Sequence, residues 1–279
     1  MGKENTKLRE GDYLFLERFL DSTKSNLFFA NGVILVEGDA ENILLPSFAK
    51  KLGRDLSQHG VSIVNVGSTA FLRYSNIFLR QDAKELHLDV SLITDVDVRP
   101  SIHEDKQTKN KKDVDGNNIK NKDGKNIKIE MTSVEIEEKR IKTAQDIRDK
   151  FESPVTAFVA PYWTLEYSIA KSCLSELFHQ AVYICHKTKS KDYVFSEEKK
   201  MLLIKDAKVE YKKWKDEDKL SIDEIAYNIY KKTMLDRYLS KAVVAQVFAD
   251  FIIDADFNSV ETDENLTYLV DAIKNVTGK

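Results

Sequence analysis

The stretch GVILVEGDAE, Gly32 to Glu41, decides how this chain is read. Four apolar residues, Val33-Ile34-Leu35-Val36, run directly into Glu37, Gly38, Asp39 and, two positions on, Glu41. A strand of that composition is buried on both faces, and it delivers a carboxylate to its own carboxyl end. Working outward, VSIVNV (61–66), LDVSLITDVDV (88–98) and PVTAFVA (154–160) share the texture and alternate with helical patterns, AENILLPSFAKKLG (40–53) and TAFLRYSNIFLRQDA (69–83). Such alternation predicts an α/β fold, a parallel sheet flanked by helices.

From about 164 the pattern turns helical. Leu165, Ile169, Cys173, Leu174, Leu177, Phe178, Ala181, Val182 and Cys185 follow a period near 3.6, and similar stripes cover 196–214, 222–239, 240–253 and, more briefly, 264–276. At the other end, residues 6–29 carry an apolar stripe that includes Leu14, Leu16, Phe19 and Leu20. The expected organisation is a helical linker segment over 1–30, an α/β domain over 31–170 and a C-terminal helical domain over 171–279.

Residues 101–130 interrupt the α/β rhythm with a Lys-, Asp- and Asn-rich insertion in which DGNNIK (115–120) recurs as DGKNIK (123–128). Asp-Gly pairs between strand-like pieces predict an inserted loop or β-hairpin. A calcium loop fits poorly, because the first ligand position of a D-x-D-x-D-G pattern falls on Lys111.

The chain has 43 basic and 46 acidic residues, a net charge of −3. That excludes the uniformly basic character of many passive nucleic-acid binders, but not an enzyme with a carboxylate centre and a lysine rim. Doublets such as Lys50-Lys51, Lys199-Lys200, Lys212-Lys213 and Lys231-Lys232 could form such a rim, or simply solvated helix faces. The cysteines, Cys173 and Cys185, read as two buried thiols of a reducing compartment, and the histidines lack zinc-site spacing. No run reaches the ~18–20 apolar residues of a membrane span, and MGKENTKLREGDYLF has no signal-peptide core, so a cytoplasmic protein with no membrane partner is expected.

In an open parallel sheet, ligands collect at the carboxyl ends of the strands. Glu37 ends the first strand, and Asp95 and Asp97 end the third, two apart. If the extended conformation persists, that spacing aims both side chains to one side, as a shared cation requires. Glu41 lies in the first helical turn, with Gly38 allowing a tight bend between, while Asp39 reads as a cap or a solvent-facing acid. Converging carboxylates repel unless solvent separates them or a hard cation, Mg²⁺ or Mn²⁺, neutralises them.

At VILVEGDAE and LITDVD the chain resembles the Toprim fold of topoisomerases, primases and several nucleases. LDSTKSNLFFANGVILVEGDAENILLPSFAKKLG, VSIVNVGSTAF and WTLEYSIA are more specifically similar to the C-terminal region of the OLD (overcoming lysogenisation defect) family nucleases. The resemblance spans about 17–100 and 153–186 well and the last helices loosely.

It implies a Toprim nuclease domain over 31–170 and a metal-dependent endonuclease acting on DNA, with two Mg²⁺ or Mn²⁺ ions. It further implies Glu166, in TLEYSIA, as a metal ligand and Lys241, in YLSKAVVAQVFADF, as the cation that stabilises phosphate charge. Glu37, Asp95 and Asp97 would then hold one ion, with Glu41 and Glu166 near the second. Glu37 has an alternative role as general acid or base. Read without the resemblance, Glu166 is a first-turn helix acid and Lys241 a surface lysine.

Family members pair this part with an ABC-type ATPase, form dimers at full length, and in some cases serve in anti-phage defence. No G-x-x-x-x-G-K-[ST] loop occurs in this sequence, so the expected ATPase partner is an upstream domain or another subunit. The rival readings are a catalytically idle Toprim module for DNA docking and assembly, a Toprim ribonuclease, and a HAD-like phosphatase. The last would need its D-x-D at the first strand.

Overall fold

The computed structural model describes residues 6–10, 12, 13, 16, 27–67, 71–79, 88–188, 196–234 and 239–278. Most of the expected N-terminal amphipathic stretch, and residues 80–83 of the expected second helix, lie outside the described residues.

Four strands form one parallel sheet in the order β2-β1-β3-β6: β1 (Gly32–Val36), β2 (Val61–Asn65), β3 (Asp89–Thr94) and β6 (Val155–Val159). Alternation across β1 explains its unbroken apolar run. Ile34 and Val36 enter one hydrophobic core, and Val33 and Leu35 enter the other on the opposite face.

The chain leaves β1 for β2 on one side and then crosses back to β3 on the other. The crevice between the carboxyl ends of β1 and β3 is therefore the topological switch point, where open α/β sheets bind ligands.

One core is capped by α1 (Asp39–Lys51), α4 (Leu165–Lys171), α5 (Ser175–Thr188), α7 (Ile222–Met234), α8 (Lys241–Ile252) and α9 (Thr267–Thr277). The second core takes Phe71 and Tyr74 of α2 (Phe71–Ser75) together with Leu27, Ile77 and Phe78. Between α5 and α7 runs α6 (Glu197–Lys212), its final turn widening into a π-helical segment, Lys213–Glu217.

The last helix is part of the sheet's packing. Ser91, buried in β3, donates to the Ala272 carbonyl (2.7 Å) and accepts from Asn275 Nδ2 (3.1 Å). Gly32 makes the approach possible, since a Cβ there would lie 2.8 Å from the Val276 carbonyl oxygen.

Several expectations need correcting. The stripe from Leu165 to Cys185 is two helices, broken at Ser172–Leu174, where the Cys173 N–H donates to Asp263 (2.5 Å). The break carries Cys173 to the surface, so only Cys185 is a buried thiol.

A helix without a counterpart in the sequence reading, α3 (Ser133–Arg148), precedes β6. It buries only Ile136 and Ala144, so its apolar periodicity is faint. Its start is nonetheless written in the sequence: Thr132 and Glu135 form a reciprocal capping box.

The insertion is a hairpin stem, β4 (Thr108–Asn110) with β5 (Lys128–Glu130), bearing two smaller turns. The Asp113 carboxylate accepts the backbone N–H groups of Asp115 and Asn117, which uses it as a turn-former and not as a calcium ligand.

Candidate active site

Glu37, Glu41, Asp95, Glu166 and Lys241 line one cavity of about 380 Å³ at the switch point. Each arrives from a different place. Glu37 follows β1, Glu41 sits in the first turn of α1, Asp95 follows β3, Glu166 opens α4 and Lys241 opens α8.

Local hydrogen bonds hold the acids. The Thr94 hydroxyl donates to Glu37 Oε1, and Asp95 Oδ1 accepts the Leu165 N–H (2.8 Å) at the start of α4. Lys241 Nζ donates to Glu166 Oε2 at 2.9 Å, and the Glu166 side chain is only 6% exposed.

The electrostatics are those of a site short of positive charge. Burial, then Glu166 and Glu41, push the Asp95 carboxyl well above the usual range. Burial and the neighbouring Glu166 push Glu41 up to about 6, and burial with Asp97 raises Glu37 against the opposing hydrogen bond from Thr94. Burial works against the Lys241 charge, yet Glu166, Asp95 and Glu41 hold it above the ordinary ammonium value.

Asp97 stands apart. β3 ends at Thr94, and Asp97 adopts a left-handed φ of 54°, its N–H donating to the Trp163 carbonyl (3.0 Å). The extended geometry assumed for the D-x-D pair does not persist, so Asp97 is exposed beyond the cavity and acts on Glu37 through its charge. Aspartate is one of the few non-glycine residues that adopt this region, and such positions recur at functional sites.

Gly38 also differs from expectation. Its φ of −143° is extended backbone open to any residue. What it supplies is room, because a Cβ there would sit 3.1 Å from Glu41 Oε2. Asp39 faces solvent and takes the Asn65 side-chain amide (2.8 Å), without capping α1.

Sequence reasoning missed two tyrosines. Tyr268 of α9 is buried with no hydrogen-bond partner for its hydroxyl, and burial together with Asp95, Glu41 and Glu166 keeps that hydroxyl protonated. Burial followed by Glu166 and Asp95 does the same for Tyr230 of α7. Both tyrosines lie more than 60 positions after Glu166, and nothing in local spacing marks them.

A neighbouring cleft of about 410 Å³ is lined by Arg99, Arg140, Tyr162, Trp163, Lys171 and Asp223, among others. Its cations are already matched, Arg140 by Glu137 and Lys171 by Asp223. Although it is the roomier of the two, it lacks the unbalanced charge of the carboxylate cavity.

Residues 28–97 match the family model "Overcoming lysogenization defect protein-like, TOPRIM domain". Over that quarter of its length the chain is similar to an OLD-like TOPRIM domain. This TOPRIM stretch includes Glu37, Glu41, Asp95 and Asp97.

Among characterised proteins the chain is similar to "Endonuclease GajA" of Bacillus cereus (strain HuB5-5), 29% identical over 108 residues. That match covers 39% of this chain and 15% of the relative's length. Among solved structures it is similar to the C-terminal region of the Xanthomonas campestris pv. campestris OLD protein (TM-score 0.46, 19% identity, 90% of this chain and 94% of that one). The C-terminal region of the Burkholderia pseudomallei OLD protein gives TM-score 0.46 at 17% identity, covering 90% of this chain and all of that one, 100%.

The donors around the cavity are all hard carboxylate oxygens, the set that suits Mg²⁺ or Mn²⁺. Among the described residues no three acids close on a single point at ligand spacing. Glu166 is paired with Lys241, whose charge also reaches Asp95 and Glu41.

Proposed function

We propose that this chain is the nuclease part of an OLD-type endonuclease, hydrolysing DNA phosphodiester bonds with Mg²⁺ or Mn²⁺. The observation that carries the reading is the unbalanced carboxylate cavity at the β1/β3 switch point, inside and beside the TOPRIM match. The partners that follow are DNA and an ABC-type ATPase domain or subunit, with dimerisation at full length; the compartment is the cytoplasm. Among the described residues no helix is long and apolar enough to cross a membrane.

In this reading Glu37 and Asp95 would hold one cation, with Asp97 contributing its charge from outside the cavity, and Glu41 and Glu166 would serve a second. When bound, the ions supply Lewis-acid polarisation of the phosphate and a water acidified toward neutrality. The chain's own groups do the rest. Thr94 fixes the Glu37 carboxylate, and the first turn of α4 fixes Asp95. Lys241 leaves Glu166 to balance the charge that builds on the phosphate, and protonated Tyr230 and Tyr268 add no negative charge near the acids.

A second reading has one observation in its favour: among the described residues no three acids gather at ligand spacing, and Glu166 is already paired with Lys241. That arrangement would also suit an idle docking module. Incubating supercoiled plasmid and a structured RNA with the protein, in Mn²⁺ and in EDTA, separates the readings. Mn²⁺-dependent nicking or linearisation of the plasmid is expected. Inert plasmid favours the docking module, and cleavage of RNA alone favours a ribonuclease.

A further inference from the structure

The insertion after β3 is a three-way junction of hairpins. Its stem is β4–β5, and its two leaves close at the bridges Lys112–Asn118 and Lys120–Asn126. At the centre, three residues spaced eight apart form a ring of backbone hydrogen bonds: Ile119 N–H to Lys111 O (2.9 Å), Ile127 N–H to Ile119 O (2.9 Å) and Lys111 N–H to Ile127 O (2.8 Å).

Each leaf turns the same way. Asp113 accepts from the N–H groups of Asp115 and Asn117, and Asn121 accepts from those of Asp123 and Lys125. Gly116 (φ 85°) and Gly124 (φ 77°) take the left-handed positions.

This arm has almost no apolar interior, Val114 being fully exposed at 101%. Backbone hydrogen bonds and the Asp113 and Asn121 turns hold it, so its exposed lysine side chains are not needed for folding.

Its charged side chains are mainly lysines. From Thr108 to Glu130 the arm contains seven lysines against three aspartates and one glutamate, a net +3 in a chain whose total is −3. Lys109 pairs with Glu135, and Lys106 donates to the Ser101 carbonyl. Lys111, Lys112, Lys120, Lys122, Lys125 and Lys128 are exposed and make no ion pair among the described residues.

The arm's root is fastened beside the candidate site. The Gln107 side chain donates to the Arg99 carbonyl (2.7 Å) and accepts from Lys139 (2.8 Å), while the Gln107 carbonyl accepts the Met131 N–H (2.9 Å). His103 packs edge-on against Trp163 (4.9 Å) and Tyr227 (5.6 Å), and Trp163 in turn accepts the Asp97 N–H.

We propose that this arm grips the phosphate backbone of duplex DNA and holds the substrate beside the carboxylate cavity. Concentrated, unpaired positive charge on a rigid scaffold is complementary to a polyanion, and its mobile counterions are released on binding. Such a grip also resolves an electrostatic conflict: a site built of acids repels phosphate, so attraction must come from charges placed outside it. The proposal rests on the DNA nuclease reading.

The test is fluorescence anisotropy of a labelled DNA duplex with the full chain in EDTA, across a range of KCl. One variant replaces Lys111, Lys112, Lys120 and Lys122 by Ala. A charge-matched control replaces Lys205, Lys208, Lys212 and Lys215, exposed lysines on α6 and its π-helical end.

The arm variant is expected to lower the slope of log affinity against log salt by about 2 to 4 and to bind about tenfold or more weakly at physiological salt. The control should keep the parent slope. Equal losses in both variants, no loss in the arm variant, or dependence on the arm for an RNA duplex alone would each overturn the proposal. Since binding is read without metal, a failed nuclease reading leaves a distinct signature: plasmid stays intact in Mn²⁺ while DNA still depends on the arm. Plasmid cleavage with unaltered binding by the arm variant sinks the arm alone.

Discussion

The Lys241 ammonium donates to the Glu166 carboxylate at 2.9 Å, tying the first residue of α8 to the first turn of α4 across the acid cavity. This contact places a cation inside a group of carboxylates that would otherwise repel one another. Its removal should therefore act in opposite directions on two measurements. Lys241→Met is expected to slow plasmid cleavage by about 10²–10³-fold, as loss of a transition-state charge partner does. Mn²⁺ affinity, read by calorimetry, should be unchanged or tighter, since the acids then lack their internal counter-charge. Weaker Mn²⁺ binding would show that Lys241 organises the acids and does not compete with the metal.

Gly38 separates placement of Glu41 from stability of the fold. Its backbone is extended, so Gly38→Ala costs no strain and should leave stability unchanged or raise it by about 0.4–1 kcal/mol. The added methyl crowds Glu41 Oε2 at 3.1 Å. Thermal unfolding at or above the parent midpoint, together with cleavage reduced severalfold, is the expected pair of results.

Gly32 makes the opposite prediction. A Cβ there meets the Val276 backbone oxygen at 2.8 Å, and neither β1 nor α9 can move without disturbing the core. Gly32→Ala should destabilise by about 1–3 kcal/mol, as overpacking does. Urea unfolding measures this, with a lower midpoint and an unchanged slope expected.

A half-buried carboxylate away from the cavity contributes to acid stability. Glu210 is held down at about 2 by the imidazole of His179, 3.0 Å away, and by Lys232, which contacts the same carboxylate. Burial lowers the histidine's own pKa, so the full positive charge facing Glu210 is that of the Lys232 ammonium.

A depressed carboxylate stabilises the fold fully above its unfolded value of 4.5, and that contribution disappears as pH falls through about 2. A histidine kept neutral by burial acts in the same direction, its contribution falling away as pH drops below 6.5. Glu210→Gln should cost about 1–2 kcal/mol at neutral pH, a figure reduced for solvent screening of a carboxylate 33% exposed. The gap between parent and variant midpoints should narrow below pH 4.5. A constant gap would assign the effect to packing.

How much the sequence disclosed varies with the range of the interactions involved. β1 was legible because a strand buried on both faces has no polar position to spare, and Glu37 marks the end of that burial. Asp95 was legible for the same reason, but Asp97 was not: its orientation depends on a hydrogen bond that its N–H donates to the carbonyl of a residue 66 positions later, Trp163. Helix α3 escaped notice because two buried residues make no stripe, although Thr132 and Glu135 announced its start. The repeated DGNNIK and DGKNIK revealed turns, whereas the ring at Lys111, Ile119 and Ile127 depends on tertiary closure. Lys241 looked like any surface lysine and entered only through the family resemblance; its neighbour Glu166 lies 75 positions away.

The most direct test of the central claim is Mn²⁺-dependent conversion of supercoiled plasmid by the parent chain and by Asp95→Asn. Asparagine keeps the shape of the side chain and its acceptor for the Leu165 N–H, but removes the charge the cavity would offer a cation. Cleavage by the parent, lost by about 10²-fold or more in a variant that unfolds at the same temperature, is the result this account predicts. Undiminished cleavage by Asp95→Asn would contradict it.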